Sequence, residues 1–404
     1  MGQTKTIESN LKELELNALL EVTEAINNNL PEESLYKIYH FTLLANLKVK
    51  KLALFVITEE EWNCKVFFGV DEEVIKSIPV DQFEGEEKTK TLGDTECEEF
   101  DHVIPVMHKS QLLALVFVGD IAEIEGGISG KPATTFLEAL TNIILVAIEN
   151  KKLARQQLEQ EAFKKELEIA KQVQNYLFPK NLPASDNFEV SAFYQPHHNV
   201  GGDYYDYIKI DDDKFLLCIA DVSGKGVPAA LMMSNFQASL RTLVRQTVDL
   251  ETIVSELNYQ IKFSGNGEIF ITFFAAVYNT KTKRFKYVNC GHNPPFFRAN
   301  GGKIVDLRLG TTVLGMFAPL PFIDIGILND IHQFDLFCYT DGLNEAINRA
   351  EEEFGEEKIQ ATVHKFADST PKKLNEAMMD SVDRFREEQE YRDDVTILSA
   401  KYKS

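Results

Sequence analysis

The spacing of apolar and polar positions divides the chain into three regions. In the first, residues 7–30 carry apolar side chains at three- or four-residue steps and stop at Pro31, which predicts a helix. A second helix is predicted over "SLYKIYHFTLLANL", and strands over "KLALFVIT", "KVFFGV" and "QLLALVFVGD", with another helix from near Pro132. This alternation predicts an α/β domain over residues 1–150, a usual domain size.

The second region is a long helical connector. From Thr134 to about Phe178 the chain has neither proline nor glycine. Apolar residues keep mostly helical steps among Lys, Arg, Glu and Gln, which predicts a coiled-coil-like connector over residues 151–178. The period is imperfect and the seam is short, so a single helix packed on its own domains is the alternative.

The third region, residues 179–404, is rich in strands. Three helices, near residues 228–246, 251–263 and 371–388, interrupt strand-like segments that are separated by Gly, Asn, Asp and Pro turns. Strands that outnumber helices without strict alternation predict an α+β layered sandwich. The strand-like segments are "FEVSAFY", "YYDYIKI", "KFLLCIA", "EIFITFFAAVY", "RFKYVN", "KIVDL", "FDLFCYT" and "DVTILSA".

Charge and cysteine usage restrict the partners and the compartment. A formal net charge of −21 over 404 residues disfavours nucleic acid or an anionic membrane as a partner. The five cysteines form no C-x-x-C pair and mostly lie in apolar runs, as buried reduced thiols do. No apolar stretch approaches the roughly 20 residues of a membrane span, and the N-terminus lacks a signal sequence. We therefore expect a cytoplasmic protein.

One predicted hairpin brings two carboxylates together. Its turn is Asp211-Asp212-Asp213, and pairing of Ile210 with Lys214 would set Asp203 opposite Asp221, with Cβ atoms about 4.5–5.5 Å apart. Two carboxylates at that distance repel each other unless a divalent cation or a shared proton lies between them.

Three further acids stand at strand ends. Asp341 follows "FDLFCYT", while Asp393 and Asp394 precede "VTILSA". Each alone is weak evidence, because acids commonly form turns and caps. Together with Asp203 and Asp221 they predict a cluster, and oxygen ligands without a suitable Cys or His set favour Mg²⁺ or Mn²⁺ over zinc.

Other polar residues are secondary candidates. Asp206 lies three residues after Asp203 and hence on the other face of the strand, unless a bulge at the preceding glycine pair changes the register. His197, His198 and His292 lack the spacing of a metal site and are expected in loops or turns.

The segment "SGKG" raises a different possibility. It is not a nucleotide-binding P-loop, because Ile219 occupies the position of the first glycine and Gly226 that of Ser/Thr. Gly224 and Gly226 nevertheless place flexible backbone before a helix N-terminus, which suits an anion. Lys225 either assists phosphate binding there or faces solvent.

Several motifs carry a family resemblance. In order, "NVGGDYYDYI", "ADVSGKGVPAALMM", "CGHNPP", "LFCYTDGLNEAIN" and "RDDVTIL" resemble the SpoIIE/RsbU-type serine/threonine phosphatases, the bacterial branch of the metal-dependent PPM phosphatases. The resemblance covers about residues 170–404. Residues 7–152 resemble a GAF sensor domain through "LLEVTEAINNNLPEESL" and "LVAIENKKLARQQ".

The resemblance implies an αββα sandwich and a centre of two divalent cations, Mn²⁺ or Mg²⁺. It implies that Asp221 bridges both cations and that the Val222 carbonyl binds one of them. Asp341 and Asp393 would hold the other cation, and Asp203 would bind a metal or orient a water.

The sequence departs from the eukaryotic pattern of these phosphatases. Ser223 stands at the histidine of the D-G-H-G motif, and the phosphate-binding arginine has no evident counterpart. The choice between Asp393 and Asp394 as ligand stays open, although the family pattern favours Asp393.

The function implied is signal-controlled dephosphorylation of Ser or Thr in a protein, with a phosphorylated STAS-domain anti-sigma factor antagonist as substrate. The GAF-like domain would sense an unknown ligand or activator, and the connector would transmit its state within a homodimer. The alternative is a catalytically inactive phosphatase-like scaffold that binds signalling partners. The carboxylate set favours the enzyme.

Overall fold

The computed structural model describes residues 2–47, 49–58, 61–93, 97–108, 111–121, 131–264 and 268–404. The chain divides into two compact units, Met1–Glu161 and Ala162–Ser404, which are described separately. The boundary falls inside the 45-residue helix α4, Lys131–Asn175. The unbroken helix expected from the sequence is therefore present, and its two ends belong to different units.

The N-terminal unit is a five-stranded sheet with its longer helices on one face. Every described strand pair is antiparallel, and the strand order is β2-β1-β5-β4-β3. Buried residues of α1, α2 and α4, such as Val22, Tyr39 and Leu140, pack on one face, whereas Phe83 and Phe117 belong to the core on the other. The elements are α1 Gly2–Asn27, α2 Glu32–Thr42, a π-helical turn Leu43–Leu47, β1 Val49–Thr58, β2 Glu61–Phe68, α3 Glu72–Ser77, a 3-10 turn Val80–Phe83, β3 Lys90–Thr91, β4 His102–His108 and β5 Gln111–Ile121.

Strand β4 was not expected from the sequence. Pro105 interrupts its apolar pattern, and proline lacks the N–H that a central strand would donate. It is tolerated here because β3 pairs only with His102 and Val103 of β4. At Pro105, therefore, the outer edge of β4 has no backbone pairing with β3.

The C-terminal unit is a sandwich of two sheets between two helical layers. The first sheet has the order β13-β10-β9-β8-β7, with β14 paired to β10, and the second has the order β12-β11-β15-β16-β6. The strands are β6 Phe188–Gln195, β7 Tyr204–Lys209, β8 Lys214–Val222, β9 Ile271–Asn279, β10 Arg284–Cys290, β11 Phe296–Ala299, β12 Ile304–Asp306, β13 Gly310–Thr311, β14 Gly326–Leu328, β15 Gln333–Tyr339 and β16 Val395–Lys403.

Three apolar layers hold this sandwich together. Met233 and Leu257 of the first helical layer pack against one face of the first sheet. Phe274 and Leu398 belong to the core between the sheets, and Met378 belongs to the core under the second helical layer. The helices are α5 Gly226–Gln246 and α6 Leu250–Ser264 in the first layer, and α7 Asp341–Asn344, α8 Gly355–Lys365 and α9 Pro371–Arg386 beside the second sheet. The predicted αββα sandwich is confirmed.

Helix α8 was not among the three helices predicted for this region. Its first turn carries Glu356 and Glu357, while Ile359 and Val363, one turn apart, are buried against the second sheet. Two apolar positions are too few to reveal a helix by periodicity.

None of the helices in the described part of the chain combines the length and apolar character that a membrane crossing requires.

Candidate active site

The hairpin of β7 and β8 sets two carboxylates opposite each other. The N–H of Ile210 donates to the carbonyl of Lys214 over 3.0 Å, which is the pairing expected from the turn. The strand ladder keeps that register along its whole length. The paired residues end at Tyr204 and Ala220, and one further step in the same register corresponds to Asp203 and Asp221.

Asp203 lies at the junction of the two sheets. Its side chain is buried, and its Oδ2 accepts hydrogen bonds from the hydroxyls of Thr340 (2.8 Å) and Thr396 (2.5 Å), which come from the second sheet side. Burial raises the pKa of Asp203 well above its usual range, and the charges of Asp221 and Asp394 raise it further. The two hydroxyls oppose this rise because they stabilise the carboxylate.

Asp221, at the end of β8, is surrounded by like charge. Burial is the main cause that raises its pKa to about 7, followed by the charges of Asp341 and Asp393. The pKa of Asp341 is raised by burial and then by Asp393. We call Asp203, Asp221, Asp341 and Asp393 the acid cluster, because each lies close enough to another member for their charges to interact.

Asp393 and Asp394 have different surroundings. Both carboxylate oxygens of Asp394 accept backbone hydrogen bonds, from His197 (2.8 Å) and Gly202 (2.7 Å). Asp393 accepts the N–H of Asp394 at Oδ1 (2.8 Å), and its Oδ2 lies 2.8 Å from the ammonium of Lys225. Asp394 thus holds the loop that leads into β7, while one oxygen of Asp393 is occupied only by a side-chain cation.

Three glycines allow backbone segments to approach the site closely. A Cβ at Gly201 would lie 2.1 Å from Oδ2 of Asp394, and one at Gly342 would lie 2.1 Å from the Asp394 carbonyl oxygen. A Cβ at Gly202 would lie 2.8 Å from the carbonyl oxygen of Val222. The loop before β7 therefore packs directly on the end of β8 and on the segment before β16.

A sequence model of the SpoIIE family, described as stage II sporulation protein E, matches residues 211–403. The C-terminal unit contains a SpoIIE-family domain. Asp221, Asp341 and Asp393 lie within the matched residues, whereas Asp203 precedes them.

Two curated relatives are similar in sequence to this domain, and one solved structure is similar in fold. Protein IcfG of Synechocystis sp. is 27% identical over 240 residues, covering 53% of this chain but 38% of IcfG. Phosphoserine phosphatase RsbU of Bacillus subtilis is 28% identical over 249 residues, covering 59% of this chain and 70% of RsbU. The SiaA-PP2C domain of Pseudomonas aeruginosa superposes with a TM-score of 0.53 at 19% identity, covering 61% of this chain and 98% of that domain. This likeness shows a shared fold.

The acid cluster of the SpoIIE-family domain suits hard cations by its chemistry. All its donors are oxygens, and the raised pKa values of Asp203, Asp221 and Asp341 reflect burial together with uncompensated negative charge. Within the described residues, no three acidic, histidine or cysteine side chains converge on one point as a formed ligand shell. The carboxylates are instead held by hydrogen bonds and by Lys225.

Asp206 is separate from the acid cluster, as the strand alternation predicted. It is buried on the helix-facing side of β7, where Arg241 of α5 forms a two-pronged ion pair with it (2.8 and 3.1 Å). The hydroxyl of Tyr204 donates to the same carboxylate over 2.5 Å. Asp206 therefore anchors α5 to the sheet.

The three histidines considered from the sequence make contacts of their own. His197 and His198 pack ring against ring, 4.2 Å apart. His292 lies in the loop after β10 but is buried, and its Nδ1 lies 2.7 Å from the hydroxyl of Thr272, the residue paired with Asp221 across β8 and β9. Burial lowers the pKa of His292 to about 3, so the ring is neutral.

Sequence reasoning missed three residues that support the site. Thr340, directly after β15, and Thr396, in β16, are buried polar residues next to apolar strand residues, and that contrast was the available signal. For Gln174 the sequence offered no such signal, because this residue stands among the polar positions of α4. Its amide donates to the carbonyl of Gly201 (2.7 Å), and its Oε1 accepts the Gly201 N–H (3.3 Å).

Proposed function

We propose that this chain is a signal-regulated, metal-dependent protein serine/threonine phosphatase. The observation that carries the proposal is the acid cluster, which lies where the two sheets of a SpoIIE-family domain meet, with Asp203 buried and the other three carboxylates partly exposed. The relative RsbU is a phosphoserine phosphatase by name, and so is RsbP of Bacillus subtilis, which is 26% identical over 184 residues. Both names support the same reaction here.

The acid cluster would hold two divalent cations, Mn²⁺ or Mg²⁺. In this proposal Asp221 and the Val222 carbonyl belong to one position, and Asp341 and Asp393 to the other. Such cations, when bound, supply Lewis-acid activation for hydrolysis of a phosphate ester. Asp203 accepts hydrogen bonds from the hydroxyls of Thr340 and Thr396 and so positions the end of the hairpin that carries Asp221. We assign Asp394 a structural role, because both of its oxygens already accept backbone hydrogen bonds from the loop that leads into β7, which we call the site loop.

Phosphate would bind beside the start of α5. Gly224 and Gly226 flank Lys225 there, and helix N-termini attract anions through their free N–H groups. Lys225 would add a positive charge on the same side. This assignment rests on the position of the segment next to the acid cluster.

The substrate we propose is a phosphorylated STAS-domain protein that acts as an anti-sigma factor antagonist. This choice comes from the family resemblance and from the relatives RsbU and RsbP. The same resemblance suggests that the N-terminal unit is a GAF-like sensor of an unidentified ligand or activator.

A homodimer through the connector would link sensing to catalysis. Apolar side chains of α4 at Leu158, Phe163, Ile169 and Val173 are more than half exposed in the single chain, and a second copy of the helix would cover them. Gln174 of the same helix already bonds to the site loop. Deletion of residues 1–150 should therefore change both turnover and metal affinity, and unchanged values would contradict the coupling.

Hydrolysis of p-nitrophenyl phosphate and of a phosphorylated STAS protein tests the activity. The full chain should be active with Mn²⁺, and Asp221→Asn should lose activity by at least about 100-fold, a scale set by the several kcal/mol that metal activation contributes. Asp211→Asn, in the exposed turn of the same hairpin, is the matched control and should retain activity. If the wild-type chain hydrolyses neither substrate, the result would instead favour the inactive scaffold.

A further inference from the structure

The segment "SGKG" is built to hold one lysine in a fixed place. Gly224 (φ +93°) and Gly226 (φ +70°) adopt left-handed backbone conformations, although a Cβ at either position would meet open space. Glycine is thus required by the backbone conformation and not by crowding. Between them Lys225 is extended (φ −135°, ψ 161°), directly before the first residue of α5.

That placement brings the ammonium of Lys225 onto the acid cluster. Its Nζ lies 2.8 Å from Oδ2 of Asp393 and also donates to the carbonyl of Arg392. Burial and the charge of Asp393 raise the pKa of Asp341, and the charge of Lys225 opposes part of that rise. Lys225 is therefore a cation already placed among the carboxylates that we assign to metal.

The contact is one that an incoming cation can break. The side chains of Lys225 and Asp393 are 45% and 30% exposed, and ion pairs of this kind contribute little in water. The other oxygen of Asp393 is held by the N–H of Asp394 (2.8 Å). A divalent cation and the ammonium thus compete for Oδ2, while the remaining oxygen keeps the carboxylate oriented.

We propose that Lys225 is a tethered competitor for the cation position at Asp393 and so sets the metal affinity of that position. When a divalent cation takes Oδ2, the ammonium is released on its flexible stem and becomes available to a phosphate group. The exchange breaks one ion pair and forms one metal–carboxylate contact, with no covalent change. This inference rests on the proposed function, because it concerns the same acid cluster.

Mn²⁺ binding to the full chain without substrate tests the exchange. Free Mn²⁺ is followed by electron paramagnetic resonance for the wild type, Lys225→Gln, Lys225→Arg and the control Lys209→Gln. Lys209 forms an equally short but exposed pair with Asp212 (2.8 Å) near the turn end of the hairpin. Lys225→Gln should bind Mn²⁺ about two- to fivefold more tightly, the range expected for an ion pair of this exposure. Lys225→Arg should resemble the wild type, and Lys209→Gln should not change affinity.

A double variant separates competition from a general effect of charge. In an Asp393→Asn background, Lys225→Gln should no longer alter Mn²⁺ affinity, because the shared oxygen has lost its charge. If Lys225→Gln binds Mn²⁺ no more tightly than the wild type, and the wild type itself binds Mn²⁺ and turns over substrate, the exchange is wrong. The proposed phosphatase function would be unaffected by that result. Absence of saturable Mn²⁺ binding by the wild type would overturn the proposed function itself.

Discussion

The acid cluster should make the metal-free protein less stable as pH rises, and Asp221→Asn should remove that effect. The pKa of Asp221 is raised from 3.8 to about 7 in the folded chain. A carboxyl with a raised pKa favours the folded state when it is protonated. Its contribution is therefore complete below pH 4 and is lost as pH rises through 7.

The structure sets the size of this effect. A rise from 3.8 to about 7 corresponds to a ceiling of about 4 kcal/mol at pH 8, at roughly 1.4 kcal/mol for each pH unit. Neighbouring acids share the repulsion, and solvent reaches the partly buried side chain. We therefore expect Asp221→Asn to raise the free energy of unfolding by about 1–3 kcal/mol at pH 8, with a much smaller gain at pH 5.

Urea unfolding in EDTA, followed by far-UV circular dichroism at both pH values, measures this gain. Trp62, the single tryptophan, lies in the N-terminal unit, so its fluorescence reports that unit separately. Asp211→Asn is the matched control, because Lys214 (3.0 Å away) lowers the pKa of this exposed carboxyl and no gain should follow. No stabilisation by Asp221→Asn at pH 8, or equal stabilisation at pH 5, would refute this account of the acid cluster.

Three further substitutions test the surroundings of the site. Gly201→Ala places a methyl group 2.1 Å from a carboxylate oxygen of Asp394 and should lower thermal stability and abolish Mn²⁺-dependent hydrolysis; wild-type values for both would contradict the packing. Gln174→Leu leaves the buried peptide groups of Gly201 unpaired, at about 1–3 kcal/mol each, and should reduce turnover while far-UV circular dichroism keeps its helical signal. Arg241→Leu strands the buried charge of Asp206 and should cost about 3–5 kcal/mol of unfolding free energy in urea, most of it recovered when Asp206→Leu is added.

Local patterns sufficed for the parts of the site that lie on one hairpin. A three-residue acidic turn between two apolar strands fixes the register, and the register alone pairs Asp203 with Asp221 and turns Asp206 away. The structure agrees on each of these points, because strand alternation and turn length are local properties. The apolar runs also predicted a layered α+β sandwich, whereas the arrangement of two sheets between helical layers came from the family resemblance.

Contacts between distant segments were beyond such reasoning. Thr340 and Thr396 donate to Asp203 only because the second sheet packs across the first, and sequence spacing carries no information on that packing. The role of Lys225 was left between phosphate and solvent for the same reason, as Asp393 lies 168 positions further along the sequence. Short elements such as β13 and α7 were missed because two to four residues show no period.

The end of the connector is bonded to two segments that lead to the acid cluster. Gln174 bonds to Gly201, in the loop that leads into β7, while the carbonyl that ends the same segment, at Leu177, accepts a hydrogen bond from Gln237 of α5 (3.2 Å). Helix α5 in turn begins directly after Lys225. A displacement of the connector would therefore act both on the loop beside one pair of carboxylates and on the helix that carries the competing ammonium. Because both connections are hydrogen bonds within the C-terminal unit, the end of the connector is joined directly to the loop before β7 and to α5.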